Sequence, residues 1–283
     1  MLSRTLYLDP PASDRALWLS CGYVDTGLTR EEITTTSGES DAYYDWQRRT
    51  SPDNGYGGQR LVFAPDGTVY FPIIAATAED PAKAGVVLMR RDPRTGRWTA
   101  SNLVRIDPKL SWRGLLEPDL AILNDGRLLI VCRAARGETT PCRKWFTCST
   151  DGGRTLSDVA EFRYDDGSSF FSPGSIHQFC RSSTDGRLYW VANIVPQPIE
   201  DGPRYPLFLA EIDETRMAVK RDSLVMVDDR RIGEGDTEKL QLSNFSLLEN
   251  RETFDLEIYI TRIGQSDRFW HAGVYKYTFH PRP

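Results

Sequence analysis

The sequence predicts an all-β chain of four-stranded antiparallel units closed radially as a β-propeller. Three observations carry this expectation. Apolar hairpins built around an Asp-Gly turn recur, with the Asp at Asp66, Asp125 and Asp185, spacings of 59 and 60 residues. A second strand pair follows each hairpin. No stretch has the period or length of a long amphipathic helix, although "TREEITTTSGES" has room for a short one. Units this small cannot bury their apolar faces alone, so they must stack on one another.

The units follow in chain order. "RLVFAPDGTVYFPI" from Arg60, "DLAILNDGRLLIVC" from Asp119 and "QFCRSSTDGRLYWVA" from Gln178 each read as strand, D-G turn, strand. "NFSLLENRETFDLEIYIT" from Asn244 repeats the pattern around a longer turn. The second pairs are "AGVVLMRRDPRTGRWTAS", "KWFTCSTDGGRTLSDVAEF", "YPLFLAEIDETRMAVKRD" and "HAGVYKYTFHP", with Asp-centred turns at Asp92, Asp151 and Asp213 in the first three. Upstream, "YYDWQRRTSPDNG" reads as a further pair. Four units are clear, and residues 1–55 supply part or all of a fifth. No Pro/Ser/Gly linker breaks the period, so residues 1–283 are expected to form a single domain whose first 55 residues are atypical.

Composition bounds the function. With 283 residues, 40% of them hydrophobic and 27% charged, the chain is ordinary globular material. A net charge of −5 argues against a general nucleic-acid binder. No apolar run reaches membrane-span length, and the N-terminus shows no apolar signal region, so no membrane partner and a cytoplasmic location are expected. Five cysteines without a C-x-x-C pair and three histidines without H-E-x-x-H spacing suggest buried free thiols and no metal or other cofactor.

In an antiparallel unit the first and third turns lie at one end. The D-G turns and Asp-centred turns therefore share one face, and the opposite face collects the start of strand 1, the end of strand 2 and the start of strand 3. Those positions are polar. They hold Arg60, then Glu117, Asp119 and Arg133, then His177, Asn193 and Arg204, then Glu238, Asn244 and Arg262. Carboxylates in pairs divide acid and base work, guanidiniums offer a planar fork to a carboxylate, and amides read hydroxyls. Glu117, Asp119 and Glu238 are the candidate catalytic groups. Arg133, Arg204, Asn193, His177, Asn244, Arg262 and Arg60 are candidates for holding substrate. Structural alternatives exist for each: an Arg133–Glu117 ion pair, a core histidine at 177, a strand cap at 193, an ordinary charged loop residue at 238. Trp46 and Trp270 offer faces on which a sugar ring can stack.

Ser149–Thr155, "STDGGRT", resembles the Asp-box S-x-D-x-G-x-T of the sialidase superfamily, with Leu156 where a Trp usually closes it. "TSPDNG" from Thr50 looks like a decayed copy. The run "LEPDLAILNDGRLLIVCRAARG", the Asp-box, "SPGSI" and "RYPLFLAEID" resembles the bacterial BNR-repeat, sialidase-like propellers. The resemblance covers roughly residues 43–280. It implies six blades, a carbohydrate ligand and a glycoside hydrolase acting on a terminal acidic sugar. It also points to Asp45 as an acid/base position. The family's N-terminal (F/Y)RIP motif is not found, and Phe245 stands where a tyrosine nucleophile is looked for. Two other readings remain open: a non-catalytic propeller binding glycan or protein, and a propeller-type polysaccharide lyase.

Overall fold

A computed structural model describes residues 60–75, 84–270 and 272–282. The described residues contain strands and short 3-10 turns and no α-helix. Among the described residues, four antiparallel sheets follow one another in chain order. The first comprises β1 (Val62–Phe63), β2 (Val69–Ala75), β3 (Gly85–Arg91) and β4 (Trp98–Ala100). The second comprises β5 (Leu115–Ile122), β6 (Leu128–Ala134), β7 (Lys144–Ser149) and β8 (Ala160–Glu161). The third comprises β9 (His177–Arg181), β10 (Leu188–Asn193), β11 (Leu207–Asp213) and β12 (Ala218–Val219), with β13 (Val225–Asp228) also paired to β11. The fourth comprises β14 (Phe245–Glu249), β15 (Leu256–Thr261) and β16 (Val274–Phe279). The "TREEITTTSGES" stretch, "YYDWQ" and "TSPDNG" lie outside the described residues.

The repeat read from sequence is a repeat of hydrogen bonds. Asp66, Asp125 and Asp185 each accept the amide two residues on, from Thr68 (2.9 Å), Arg127 (3.1 Å) and Arg187 (3.0 Å). The glycine after each has positive φ, 85° at Gly67, 84° at Gly126 and 72° at Gly186, which an L side chain resists. The second turns repeat as well. Asp92 accepts the amides of Arg94 and Thr95, Asp151 those of Arg154 and Thr155, and Asp213 that of Arg216. The two turn types meet at one end. Arg127 donates to the backbone of Glu214 in the next sheet (2.7 Å), and Tyr70 donates to Gly152 O (3.3 Å).

Asp151 also accepts Ser149 Oγ and Thr155 Oγ1, at 2.8 and 2.7 Å. Bonds from Thr155, then Ser149 and Arg154, hold its carboxyl well below the ordinary range. Asp151→Ala is expected to cost about 1 kcal/mol in urea denaturation while leaving ligand binding intact. Loss of binding at unchanged stability would bring the Asp-box into the site.

The core lies between successive sheets. On β6, Leu128, Ile130 and Cys132 face Val86, Leu88 and Leu115, while Leu129 and Val131 face Phe162, Phe179 and Trp190. On β10 the same alternation divides Trp190 and Ala192 from Tyr189 and Val191, which meet Leu247 and Ile258 of the last sheet. Burial on both faces explains why these strands read as unbroken apolar runs. The first strands are neighbours across sheets. Arg60 pairs with Asp119 on β5, whose Oδ2 accepts the amide of Phe179 on β9 at 2.7 Å, and Gln178 on β9 accepts the amide of Leu247 on β14 at 2.6 Å. Cys132 and Cys142 are buried free thiols, and Cys148 and Cys180 are half-buried ones.

Candidate functional site

The site is built at the end of the sheets opposite the Asp turns, and Glu117 is its least ordinary residue. Strand β5 starts two residues before Glu117, and its register with β6 slips between Leu116 and Asp119. Pro118 has no amide to give to the ladder, so a bulge forms there. Glu117 takes φ +41° within it, a left-handed value that costs a non-glycine residue energy. The bulge swings the carboxylate back over β6, where both oxygens accept Arg133 Nη1 at 2.8 Å. The pair is only partly covered, with 14% of the Arg133 side chain and 23% of the Glu117 side chain exposed.

Glu117 occupies one corner of Arg133 only. The buried Nε finds no partner among the described residues. That edge faces Gly174, where a Cβ would stand 3.5 Å from Nε and 3.6 Å from Nη2, and 2.7 Å from the carboxylate of Asp201. The glycine therefore leaves a gap between a guanidinium edge and a second acid. Asp201 is a site residue that the sequence did not single out. It sits in the loop before Arg204, with no motif around it.

Arg204 is clamped through its backbone. Its carbonyl accepts Asn193 Nδ2 (3.0 Å) and the Leu242 amide (2.9 Å), and Asn193 reaches Pro206 O and Leu242 O as well. Its guanidinium donates to Gln241 Oε1 and Ser243 Oγ, both at 3.3 Å and both neutral. Burial, and then the like charge of Arg133, lower its affinity for its proton. Asn193, on the candidate list for substrate, is fully buried and spends its amide on this clamp.

Beneath Arg133, paired with it across the β6–β7 register, lies Lys144. It is fully buried and donates to the carbonyls of Ser175 and Pro173. Burial first, and then Arg133, bring its pKa from about 10.5 to about 7, opposed by Glu117. Between those values the unfolded chain holds a proton that the folded chain has released. Stability conferred by this group should therefore rise with pH from about 7 to about 10.5. Unfolding free energy followed over that range should rise in the parent relative to Lys144→Met, and parallel profiles would refute the assignment. His177 is equally buried. Its Nε2 lies 2.9 Å from Val131 O and must be the protonated nitrogen, and burial, then Lys144, keep the ring neutral.

The remaining candidates are placed elsewhere. Arg60 and the fully buried Asp119 form the inter-sheet pair described above, and burial raises the Asp119 pKa against the pull of Arg60. Arg262, 1% exposed, pairs with Asp228 and Asp236, and Tyr277 donates to Asp228 at 2.6 Å. Glu238 is 87% exposed and lies 3.9 Å from Arg230. Asp45 and Trp46 lie outside the described residues.

One cleft opens beside Glu117, and a second opens around Arg204 and Asp201. One, of about 510 Å3, has Glu117, Asn244 and Tyr259 on its walls and Ile176 and Phe245 among its apolar lining. The other, of about 580 Å3, is lined by Asp201, Arg204, Arg230, Gln241 and Phe269. The first thus joins Glu117 with Asn244, and the second joins Arg204 with Glu238.

No protein-family model and no curated protein sequence matches the chain. Its likeness to solved structures is one of fold. A Dyadobacter fermentans protein of unknown function superposes with a TM-score of 0.52 at 13% identity, over 77% of this chain and 50% of that one. An N-acetylgalactosamine deacetylase from F. plautii, in complex with blood group B trisaccharide, gives 0.50 at 9% identity, over 79% and 72%. A structure of NanB with Optactamide gives 0.50 at 12% identity, over 77% and 29%. The chain thus spans half the length of the first of these and under a third of the last.

Proposed function

We propose that the protein is a glycan-active propeller, a glycoside hydrolase acting on a terminal acidic sugar. One observation carries the reading. Arg133 turns an unpartnered, buried Nε towards Gly174 and the Asp201 carboxylate, while its other corner holds Glu117, which lines an open cleft. A guanidinium edge with no partner suits a planar anion, and it is pre-organised by the bond its other corner makes to Glu117. Two acids on either flank of one bound sugar suit the division of labour in glycoside cleavage. One protonates the leaving glycosidic oxygen, and the other takes the proton of the attacking water or attacks the anomeric carbon itself.

Supporting observations are the positive φ of Glu117, an energetic cost of the kind found at working sites, and Asn244 on the wall of the same cleft. The blood group B trisaccharide bound by the F. plautii neighbour agrees with a carbohydrate ligand.

The test is a screen of fluorogenic glycosides of uronic, sialic and neutral sugars, with products assayed both for new reducing ends and for unsaturated uronates. Release from an acidic glycoside, lost in Glu117→Gln, is the expected result. Binding without release would make the protein a non-catalytic glycan module. Unsaturated products would make it a lyase.

A further inference from the structure

We propose that the cleft beside Arg204 is a second sugar subsite that takes the anionic group, carboxylate or sulfate, of a neighbouring residue in an acidic oligosaccharide. This rests on the glycan reading above and extends it from one sugar to at least two.

The charges of this cleft are out of balance. Arg204, Arg230 and Lys239 line it, together with two acids, Asp201 and Glu238. Arg204 spends its bonds on neutral Gln241 and Ser243. Lys239 is exposed and has no carboxylate within ion-pair distance among the described residues. Arg230 is held by an Nε bond to Asp236 O at 3.3 Å, and its acidic neighbour Glu238 is 3.9 Å away and almost fully in solvent. Asp201 turns towards Cys142 and the Gly174 gap. Three cations around one concavity repel each other, and a bound anion relieves that repulsion. Arg230, with 20% of its side chain exposed, is already oriented and loses little freedom on binding.

The cleft also has an apolar wall. Phe269 lines it, and Trp270, 78% exposed, packs edge-on against Phe269 at 4.9 Å between centroids. An aromatic face beside cations is what the apolar side of a pyranose ring with a charged substituent requires.

Continuity with the first site comes from the chain itself. Asp201 lines this cleft and faces the free edge of Arg133 across Gly174. A sugar held against the Glu117–Arg133 pair therefore has its next neighbour in the chain on the Arg204 side.

The measurement is calorimetric titration of the full chain with four probes: methyl galacturonoside, a pentagalacturonate, its carboxyl-reduced counterpart and a sulfated galactan pentasaccharide. The pentagalacturonate should bind at least about ten-fold more tightly than its reduced counterpart, and the margin should shrink with added salt. The double variant Arg230→Ala/Lys239→Ala should lose most of that margin, keeping only the share Arg133 supplies, while its affinity for the methyl glycoside stays within about two-fold. Should the double variant fail to fold, Lys239→Gln, a change at an exposed position, should lower the margin about three-fold. The sulfated probe separates the two anions: tighter binding than pentagalacturonate assigns the cleft to sulfate, weaker binding to carboxylate. Equal affinity for acidic and reduced pentasaccharides in the parent would overturn the subsite together with the acidic-sugar reading, whereas a variant that keeps the full margin would overturn the subsite alone. Failure of every probe to bind the parent would overturn the glycan reading and the subsite with it.

Discussion

Arg133→Ala is expected to lower kcat/KM, or affinity if no turnover is found, by at least ten-fold, about 1.4 kcal/mol, while the melting temperature falls by no more than about 4 °C. The two effects separate because of where the pair sits. Removing one partner of a fully buried ion pair strands a charge and costs several kcal/mol. Here Glu117 keeps 23% of its side chain in water, so the solvent takes over part of what Arg133 supplied. Loss of Arg133 also removes a like charge from beside Lys144 and Arg204, both of which its charge disfavours. Stability is thus partly compensated, but the unpartnered guanidinium edge facing the Gly174 gap is gone. Glu117→Gln keeps the shape of the bulge and should show the same split. A collapsed melting temperature with unchanged activity in the folded fraction would make the pair purely structural.

Asp119→Ala should do the reverse, costing about 2–3 kcal/mol of stability, mainly from the buried Phe179 amide it orphans. The carboxylate is 1% exposed and accepts Arg60 at 3.1 and 3.2 Å and the Phe179 amide at 2.7 Å, tying three successive first strands together. Alanine leaves the Phe179 amide unpaired and takes the counter-charge from Arg60, which keeps its bond to Phe179 O and its share of solvent. Asp119→Asn keeps the volume and one acceptor and should lose less. Urea denaturation of both variants beside the parent measures this. A stable Asp119→Asn protein without turnover would instead return Asp119 to the catalytic group.

These two residues show how far a repeat can be read. Both stand in "LEPDLAIL", two positions apart, and strand alternation puts both at the mouth end of the unit. Sequence periodicity specifies which end of a blade a residue occupies. It does not specify whether that residue points to water or to the neighbouring blade. That choice depends on a bulge at Pro118, which turns Glu117 outward and leaves Asp119 inward. Asn193 and Arg262 illustrate the same limit. Each ends a second strand as expected, and each is drawn into bonds with backbone or acids from distant segments, at Arg204 and Leu242 for the one and at Asp228 and Asp236 for the other. Asp201 was missed for the opposite reason. It lies in an irregular loop before Arg204, and only the absence of a side chain at Gly174 brings it opposite Arg133.

By itself the sequence determined the all-β class, the recurring hairpins, the Asp-turn chemistry and the end of the sheets that carries the polar residues, but not the five strands of the third sheet or the three of the last. Each of these follows from local rules: two-residue alternation, a glycine that accepts positive φ, an aspartate that bonds its own turn. The site was decided only by the tertiary structure. Packing sets which of the clustered charges is desolvated, which is neutralised by a partner and which is left free, and burial and proximity act through space between residues that the chain keeps about 30 to 120 positions apart.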